Sequence, residues 1–369
     1  LFSEDPEGAT IAEDDMLERR EFVVALMASL LKFGAATHLV ENLMVSVAEA
    51  LHIHSQCSAF PKMLFLTFRS PDRDPSKLQS RVLALSPDPD LGKLDSCDRL
   101  ASHVAAKQVT FEEAKGELNR ILMEEPEYHW AVRLFMFVIL GSMATTLFYG
   151  GNEVDGSLAA VLGLMVGLFD IYAAVDDTFS RVCGFVSAFL CAFISRLVHT
   201  YILPDSTCYF SIALGPIVYL LPGLSATVGV MEVASGSVMS GTSRIFAALI
   251  SFLQLGFGLV VGSRIAVWDP IHESDWCSSD RTHLEKLVLL LPAIFALGVL
   301  NKIPPTRHFL AAMASACVGF FVSAFLEQHD SLPPDTISFI AAFAVGVFGC
   351  LYARIADRPP ISIVVIGIL

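Results

Sequence analysis

The amino-acid sequence predicts an α-helical polytopic membrane protein with an N-terminal α+β domain. Of the 369 residues, 54% are hydrophobic and only 17% are charged, whereas soluble globular chains have about 45–50% apolar and about 25% charged residues. The excess is also uneven. After Trp130 the chain becomes a series of apolar runs separated by short polar loops. Runs of about 20 residues match a hydrocarbon core of about 30 Å at about 1.5 Å per helical residue.

The bulk composition argues against several classes of function. The net charge is −14, so the chain lacks the basic balance that nucleic-acid binding requires. The eight cysteines include no CxxC pair, and we expect neither a metal site nor a cofactor. The sequence also lacks a Gly-rich phosphate loop, a GxSxG elbow and an HExxH motif, so we expect no enzymatic activity.

The N-terminal part has the charge density of a soluble domain. We expect an acidic, disordered segment at 1–16 and an α+β domain at 17–129. A first helix should stop at Gly34, and a second should start near Ala36 or Thr37, with one of these as a candidate N-cap. The further predicted elements are strands at 52–60, 62–68 and 81–86, and helices at 91–107 and 110–124.

About nine membrane-spanning helices follow this domain. We expect a first five-helix membrane half at 130–262, a non-cytosolic loop at 263–284 and a second half at 285–369. Because the chain ends inside an apolar run, the second half is expected to be truncated. The predicted spans are 130–149, 157–175, 179–199, 208–222, 243–262, 285–300, 307–326, 336–354 and 359–369.

Basic residues in short loops predict the orientation of these spans. Six lie on one side of the predicted topology: Arg181, Arg244, Lys302, Arg307, Arg354 and Arg358. The positive-inside rule makes that side cytosolic and therefore places the N-terminal domain in the cytosol. The long loop at 263–284 is the exception, since it carries Arg264 and Arg281 on the opposite side.

A weak internal repeat links the two membrane halves. The third span ends in 191–200 and the eighth in 349–358, with Arg196 and Arg354 at corresponding places. Their offset of five spans would invert the second half relative to the first. Inverted repeats are typical of secondary transporters, although apolar helices also match one another by chance.

The strongest candidate site lies at 221–244. Pro222 and Gly223 predict a break or kink after the fourth span. The stretch that follows is rich in Gly, Ser and Thr, and backbone of this kind is tolerated at membrane depth only inside protein or beside a water-filled cavity. Glu232 lies within it, where a carboxylate without a partner would bind a proton, a cation or a substrate ammonium. The alternative is a solvated glutamate on a cytosolic loop.

A second candidate site lies at 148–163. Gly150 and Gly151 allow a tight link, and Asp155 opens the second span, where it either supports a site or simply caps the helix. Asp170 is deeper but near the interface. Arg196 and Arg244 are candidate partners for these acids, with snorkelling towards the interface as the alternative.

Two further pairs of residues deserve separate consideration. His38 and Glu41 lie one helical turn apart, which suits acid–base chemistry or metal binding but more often indicates a local hydrogen bond. Cys208 and Cys277 both fall on the predicted non-cytosolic side, where a disulfide between them can form.

These pieces together resemble the threonine/serine exporter family, specifically its fungal branch, the pheromone-regulated membrane protein 10-like proteins. The resemblance runs from about residue 20 to the end of the chain. The matching pieces are FGAATHLVE at 33–41, PDLGKL at 89–94, the stretch with Gly150, Gly151 and Asp155, and the LPG and ME-x-ASG-x-x-x-SG-x-x-R stretch at 221–244.

The resemblance implies a cytosolic domain followed by ten spans in two inverted five-helix halves, and amino-acid export driven by the proton gradient in the bacterial members. A further Pro-Gly break is implied after the ninth span. Two departures are visible: Leu39 stands where the family often has Arg, and Glu232 stands where bacterial members tend to have Asp. The second departure keeps the acid and therefore a proton or cation role.

Our leading hypothesis is a proton-coupled secondary transporter that exports small amino acids such as threonine or serine. Glu232 is the protonation or cation site beside the broken helix, and Asp155 supports the first half. The residues expected to contact substrate or ion are Pro222, Gly223, Ser225, Thr227, Ser235, Ser240, Arg244, Gly150 and Gly151. The expected partners are an amino acid, a proton or other coupling ion and the bilayer of the plasma membrane or an endomembrane; a homo-oligomer is compatible with this hypothesis.

Two other functions compete with transport. In the first alternative, the membrane part is a scaffold and the cytosolic domain senses a signal or binds a partner. A scaffold, however, has no need of a carboxylate and a helix break at membrane depth. An intramembrane enzyme that uses His38 and Glu41 is the weaker alternative, because it lacks a nucleophile or a complete metal set.

Overall fold

A computed structural model describes residues 6–69, 79–86, 88–125, 127–204, 206–268, 281–305, 307–327 and 333–356. The chain forms two compact units. One comprises Leu1–Glu125 together with Thr227–Ile245, and the other comprises Pro126–Ala226 together with Phe246–Leu369. The first unit therefore takes in a segment that the sequence analysis assigned to the first membrane half.

Four helices form most of the first unit: α1 (Pro6–Lys32), α2 (Thr37–Ala50), α3 (Leu91–Ala105) and α4 (Phe111–Met123). Residues 6–16, which we expected to be disordered, belong to α1 in the structure. A proline at the first helical position and an acidic residue beside it both favour a helix start there. Farther along, Asp15 and Arg19 form an ion pair one turn apart.

The end of α1 positions the start of α2. Gly34 has a φ of +107°, and the amide of Ala35 donates to the carbonyl of Leu30, which closes the helix in a Schellman-type turn. The N-cap of α2 is Ala36, whose side chain caps nothing, so Thr37 is the first helical residue. The predicted stop at Gly34 is confirmed, whereas neither Ala36 nor Thr37 caps the helix with its own side chain.

A three-stranded antiparallel sheet completes the first unit, in the order β1 (Ser55–Phe60), β2 (Met63–Phe68) and β3 (Gln79–Ala84). Cys57 pairs with Leu66, and Leu66 pairs with Arg81. Alternate residues of β2 are buried, as expected for a strand with one face on the core. All three predicted strands are confirmed, as are both helices that follow them. Helix α4 starts with a full capping box between Thr110 and Glu113.

The helices after residue 129 are mostly apolar, and most of them belong to the second unit, whereas residues 227–245 belong to the first. They are α5 (Trp130–Leu147), α6 (Glu153–Ala173), the short α7 (Asp177–Ser180), α8 (Cys183–Leu197), α9 (Tyr209–Leu214), α10 (Gly223–Ala234), α11 (Val238–Ala266), α12 (His283–Leu300), α13 (Arg307–Glu327) and α14 (Pro334–Ala356). A π-helical turn extends α8 to Ile202, and a 3₁₀ helix extends α9 to Leu220.

Within the described residues, six helices are long and apolar enough to cross a membrane, and a bent pair raises this number to seven. The six are α5, α6, α8 with its π turn, α11, α13 and α14. The predicted span 208–222 forms only the first half of the bent pair, and the predicted span 285–300 corresponds to α12, which is not among the six. The predicted span 359–369 lies outside the described residues. The number of nine spans and their inverted arrangement thus stay predictions.

The bent pair consists of α9 with its 3₁₀ extension and α10, at an angle of 53°. The break falls at Leu221 and Pro222, where the amide of Gly223 donates to the carbonyl of Leu221 over 2.8 Å. Pro222 has no N–H and cannot continue the helix. The break predicted from Pro222 and Gly223 is therefore present.

Small residues let the helices of the second unit approach closely. A Cβ on Gly163 of α6 would lie 2.6 Å from the backbone oxygen of Phe137, and one on Gly141 of α5 would lie 3.0 Å from that of Ala159. On α11, a Cβ on Gly262 would collide with the backbone oxygen of Phe189 in α8. In lipid, helices gain no hydrophobic free energy by associating, so close van der Waals contacts of this kind hold them together.

We predict that Gly163→Ala destabilises the second unit. The obstructing atom is a backbone oxygen, so the helices must separate, at a cost of about 1–3 kcal/mol for overpacking. Thermal unfolding in detergent, followed by tryptophan fluorescence, should show a lower midpoint. Gly346→Ala is the matched control, because nothing lies within 4 Å of its added Cβ. An unchanged midpoint for Gly163→Ala would contradict this packing.

Asp98 is a buried acid in the first unit. Its side chain is 5% exposed, and its Oδ1 has no hydrogen-bond partner within the described ranges. Burial, with a smaller effect from the charge of Asp95, raises the pKa of Asp98 to about 6. An unfolded chain has this pKa near 3.9. Between these values the folded state binds more protons, so stability falls as the pH rises from about 4 to about 6.

We therefore predict that Asp98→Asn stabilises the first unit at pH 7 by an amount on the order of 3 kcal/mol, because about two pKa units are relieved. At pH 4 the substitution should have little effect. Hydrogen exchange of the α3 amides at both pH values measures the difference. Glu49→Gln removes an exposed carboxylate from α2 and serves as the control. Equal effects of Asp98→Asn at the two pH values would refute the role of ionisation.

Candidate functional site

The side chain of Glu232 is fully buried in α10 and lies in the first unit. Its Oε1 accepts the backbone N–H of Thr37 over 2.8 Å. That amide is the first of α2, where the N-terminal N–H groups have no partner within the helix and the dipole favours a negative charge. Because Ala36 offers no cap, a carboxylate from 195 residues away takes the place of the capping side chain.

Three further donors complete the surroundings of this carboxylate. Arg244 donates from Nη2 to Oε1 over 3.1 Å and from Nε to Oε2 over 3.3 Å, and Ser240 donates its hydroxyl to Oε2 over 3.0 Å. Arg244 also reaches the carbonyl of Ala35 over 3.5 Å. The predicted pairing of Arg244 with an acid is confirmed. The interpretation of Glu232 as a solvated loop residue is wrong, since the side chain is buried.

Glycines allow the two helices that carry these residues to lie against each other. Gly236, with a φ of +95°, lies between α10 and α11. A Cβ on Gly241 would lie 2.6 Å from the carbonyl oxygen of Gly229 and 2.7 Å from the amide of Val233. The backbones therefore approach closely, and this brings Ser240 and Arg244 of α11 to Glu232 of α10.

The other predicted substrate residues do not join this cluster. Ser235 is exposed and donates to the carbonyl of Met231 over 2.9 Å, while Thr227 is exposed and Ser225 is half-buried near the helix break. Pro222 and Gly223 form the break itself. Of the residues predicted at 221–244, Glu232, Ser240 and Arg244 are joined through their side chains, whereas Ser235 contacts only the backbone carbonyls of Met231 and Glu232 among the described residues.

Sequence reasoning missed the contribution of the α1–α2 turn to this cluster. The amide of Thr37 and the carbonyl of Ala35 are backbone groups, and no residue pattern indicates a contact across 195 positions. The hydroxyl of Thr37 and Nδ1 of His38 are buried without a hydrogen-bond partner in the described part of the chain. The only signal was that FGAATHLVE is one of the pieces carrying the family resemblance.

His38 and Glu41 do not form the candidate acid–base pair. Glu41 accepts the backbone N–H of Ala59 over 2.9 Å and so ties α2 to β1. His38 makes no bond to it through Nδ1. Among the described residues, no group of three or more His, Cys, Asp or Glu side chains is placed to hold a metal ion.

Asp155 acts as a cap in the second unit. It is 1% exposed and forms a capping box with Asn152 at the start of α6. Its other oxygen accepts the amide of Cys208 over 2.8 Å, at the start of α9. Gly150 has a φ of +65°, and a Cβ on Gly151 would lie 2.8 Å from Cγ2 of Thr145. The two glycines thus let the chain turn tightly before Asp155.

Three further predicted positions belong to the second unit. Cys208 is disulfide-bonded, while Cys277, its predicted partner, lies outside the described residues. Asp170 pairs with Arg133 over 2.9 Å, a partner that sequence reasoning did not name. Both side chains are about a fifth exposed. The guanidinium of Arg196 lies 5.4 Å from the ring centre of Tyr209.

A threonine/serine exporter family model matches residues 21–266, and a second threonine/serine exporter model matches residues 286–369. The chain belongs to the threonine/serine exporter family. This is a family of membrane exporters and not an enzyme class, and the resemblance found in the sequence motifs is confirmed.

Fungal relatives match along almost the whole chain. Proteins named pheromone-regulated membrane protein 10 from Kluyveromyces lactis, Candida albicans strain WO-1 and Eremothecium gossypii are 27%, 29% and 26% identical over 94% of the chain. The matched parts are 36%, 32% and 47% of those relatives. The chain therefore spans a third to a half of their length. No solved structure matches it.

We predict that Glu232→Gln destabilises the first unit by about 3–5 kcal/mol, because Arg244 then keeps a largely buried charge without its partner. Arg244→Gln should cost a similar amount. The double variant should be more stable than the sum of the two effects implies, since both charges are gone.

Chemical denaturation of the four proteins measures this cycle. Ser240→Ala should cost about 1 kcal/mol, as for one hydrogen bond. Ser235→Ala, an exposed serine near the same turn, should be close to neutral. Strictly additive effects of Glu232→Gln and Arg244→Gln would show that the ion pair is not energetically coupled.

Proposed function

We propose that the chain is the transport core of a secondary exporter for small amino acids of the threonine and serine type. Membership of an exporter family over both matched regions supports the general activity. The observation that carries the proposal is the fully buried Glu232 and its ion pair with Arg244, directly after a broken apolar helix. Broken helices and intramembrane ionisable groups are typical of transporter sites.

In this proposal Glu232 is the coupling acid. Its carboxylate holds Arg244, Ser240 and the Thr37 amide together through charge-assisted hydrogen bonds. A proton on the carboxylate removes the charge and weakens all of these bonds at once. Proton binding and release of the α2 N-terminus are then one event, so a proton gradient drives a change in structure.

Arg244 is the group through which substrate competes with Glu232. A guanidinium presents donors that fit a carboxylate in a bidentate arrangement. When Glu232 is protonated, Arg244 becomes available to the carboxylate of an amino acid, and Ser240 can turn its hydroxyl to the same ligand. Ser225 and Thr227 offer further hydroxyls near the break. Proton binding at Glu232 and substrate binding at Arg244 are therefore linked.

The proposed orientation places the N-terminal domain in the cytosol. The positive-inside distribution supports this choice. Export then starts from the face that carries the first unit. Alternating access comes from one membrane half rocking against the other in the bilayer.

A second function is favoured by one specific observation. Thr227–Ile245 forms one compact unit with the N-terminal domain, and Glu232 caps a helix of that domain. A ligand of the domain that moves α2 would act directly on this segment. The protein would then be a membrane scaffold or sensor, in which Glu232 transmits a signal and no solute crosses.

Counterflow in proteoliposomes separates the two functions. Proteoliposomes that contain the full-length protein are loaded with unlabelled threonine or serine. Entry of the labelled amino acid into the vesicles is then followed with and without a pH gradient. We expect accumulation for the wild type and loss of its pH dependence for Glu232→Gln. Glu232→Asp keeps the acid and should retain pH dependence, and Asp335→Asn removes an exposed carboxylate at the start of α14 as a control.

Absence of substrate-dependent entry in folded wild-type protein would reject the amino-acid exporter and favour the sensor. Normal pH dependence in Glu232→Gln would leave export in place but remove Glu232 as the coupling acid.

A further inference from the structure

A cavity of about 550 Å³ lies in the second unit, between side chains of α12, α13, α14 and the end of α5. This volume is in the range of about 300–1,000 Å³ that small-molecule sites occupy. Apart from Phe148, the first residue of the stretch 148–163, its lining residues were not singled out by the sequence motifs. The cavity is also distinct from the Glu232 cluster, which belongs to the first unit.

Two opposite charges line this cavity. Lys286 comes from α12 and Glu327 from the end of α13, and Ser323 and Ser338 add hydroxyls. Over the ranges that the structure describes, neither charged side chain forms a hydrogen bond or ion pair, and they do not pair with each other. Opposite charges around one cavity, with a gap between them, fit a ligand that carries both charges.

The polar residues gather at one end of the cavity. Lys286 lies near the start of α12, Glu327 at the end of α13 and Ser338 near the start of α14. Deeper positions of the same helices are apolar or small, such as Leu297 and Ala316. Eleven residues separate Lys286 from Leu297, which corresponds to about 16 Å along a helix. The cavity therefore has a charged mouth and an apolar floor.

We propose that this cavity binds a small zwitterionic amino acid, with its carboxylate at Lys286 and its ammonium at Glu327. An anion or a cation alone would pair with only one of the two charges, whereas a zwitterion pairs with both. Ser323 is placed to bond a substrate hydroxyl, and the small residues of the floor leave room for a short side chain.

This inference rests on the proposed function. In the proposed orientation the start of α12 and the end of α13 face away from the cytosol. An exporter would release its substrate through such a mouth. The cavity is then an outward-facing substrate site.

Protection of an introduced cysteine tests binding without requiring transport. Ser338→Cys places a thiol at the mouth, and its alkylation by a maleimide is followed in full-length protein in phosphatidylglycerol nanodiscs, with the parent protein as background. We expect threonine and serine to slow alkylation at least threefold and in a saturable way. Threonine methyl ester lacks the carboxylate charge and N-acetylthreonine lacks the ammonium, so neither should protect.

Charge variants identify the groups that bind. In the Ser338→Cys background, Lys286→Gln or Glu327→Gln should abolish protection by threonine. The exchange of the two charges, Lys286→Glu with Glu327→Lys, should restore part of it, since a zwitterion can bind in the reverse direction. Arg354→Gln and Asp335→Asn remove one charge each from exposed positions of α14 and should leave protection unchanged.

An aminophospholipid head group has the same zwitterionic chemistry. Addition of phosphatidylethanolamine to the nanodiscs distinguishes the two sources. If this lipid slows alkylation and threonine has no effect in either lipid, the cavity is a lipid site and the amino-acid assignment is overturned. If threonine slows alkylation in nanodiscs that contain phosphatidylglycerol and no phosphatidylethanolamine, the assignment of the cavity to an amino acid is supported.

Counterflow with the same protein separates this inference from the proposed function. If the wild type transports threonine but threonine does not protect Ser338→Cys, the cavity is not the amino-acid site, although the exporter function stands. The same conclusion follows if threonine protects Ser338→Cys equally with and without Lys286→Gln. Protection without counterflow would support the cavity while the exporter fails.

Discussion

The buried carboxylate of Glu232 is the interaction on which the structure of the candidate site depends. One side chain supplies the missing cap of α2, neutralises Arg244 and accepts the hydroxyl of Ser240. An isolated charge would be costly in this position, and each partner would be left unsatisfied without it. The cluster is therefore formed or lost as a unit.

Close backbone packing makes this arrangement achievable. Gly241 lets α10 and α11 approach within contact distance, and Gly34 turns the chain so that the first amide of α2 is presented. In the second unit, the carboxylate of Asp155 likewise accepts two backbone N–H groups, those of Asn152 and Cys208. In both units an acid holds helix termini in place, but only Glu232 also faces a guanidinium.

The sequence predicted those features whose physical cause is local. Hydrophobic periodicity predicted the helices and strands of the N-terminal domain, Pro222 predicted the break, and the position of Asp155 at the start of the second span favoured a cap. Contacts between distant residues were not predictable from one sequence. Glu232 and Thr37 are 195 positions apart, and Arg133 meets Asp170 because two helices pack side by side. The prediction of disorder was wrong for residues 6–16, because it rested on their acidic composition and not on the helix-start signals of Pro6 and Glu7.

In the proposed mechanism the Glu232 cluster opens during transport. Spin labels at Asn42 of α2 and Met239 of α11, both exposed in the first unit, report their separation by double electron–electron resonance in full-length protein. We expect a second distance between the labels, whose population rises at low pH and on addition of threonine. In Glu232→Gln this second distance should be populated at neutral pH and without threonine. A single distance distribution, identical at every pH, with and without threonine and in the variant, would contradict this mechanism.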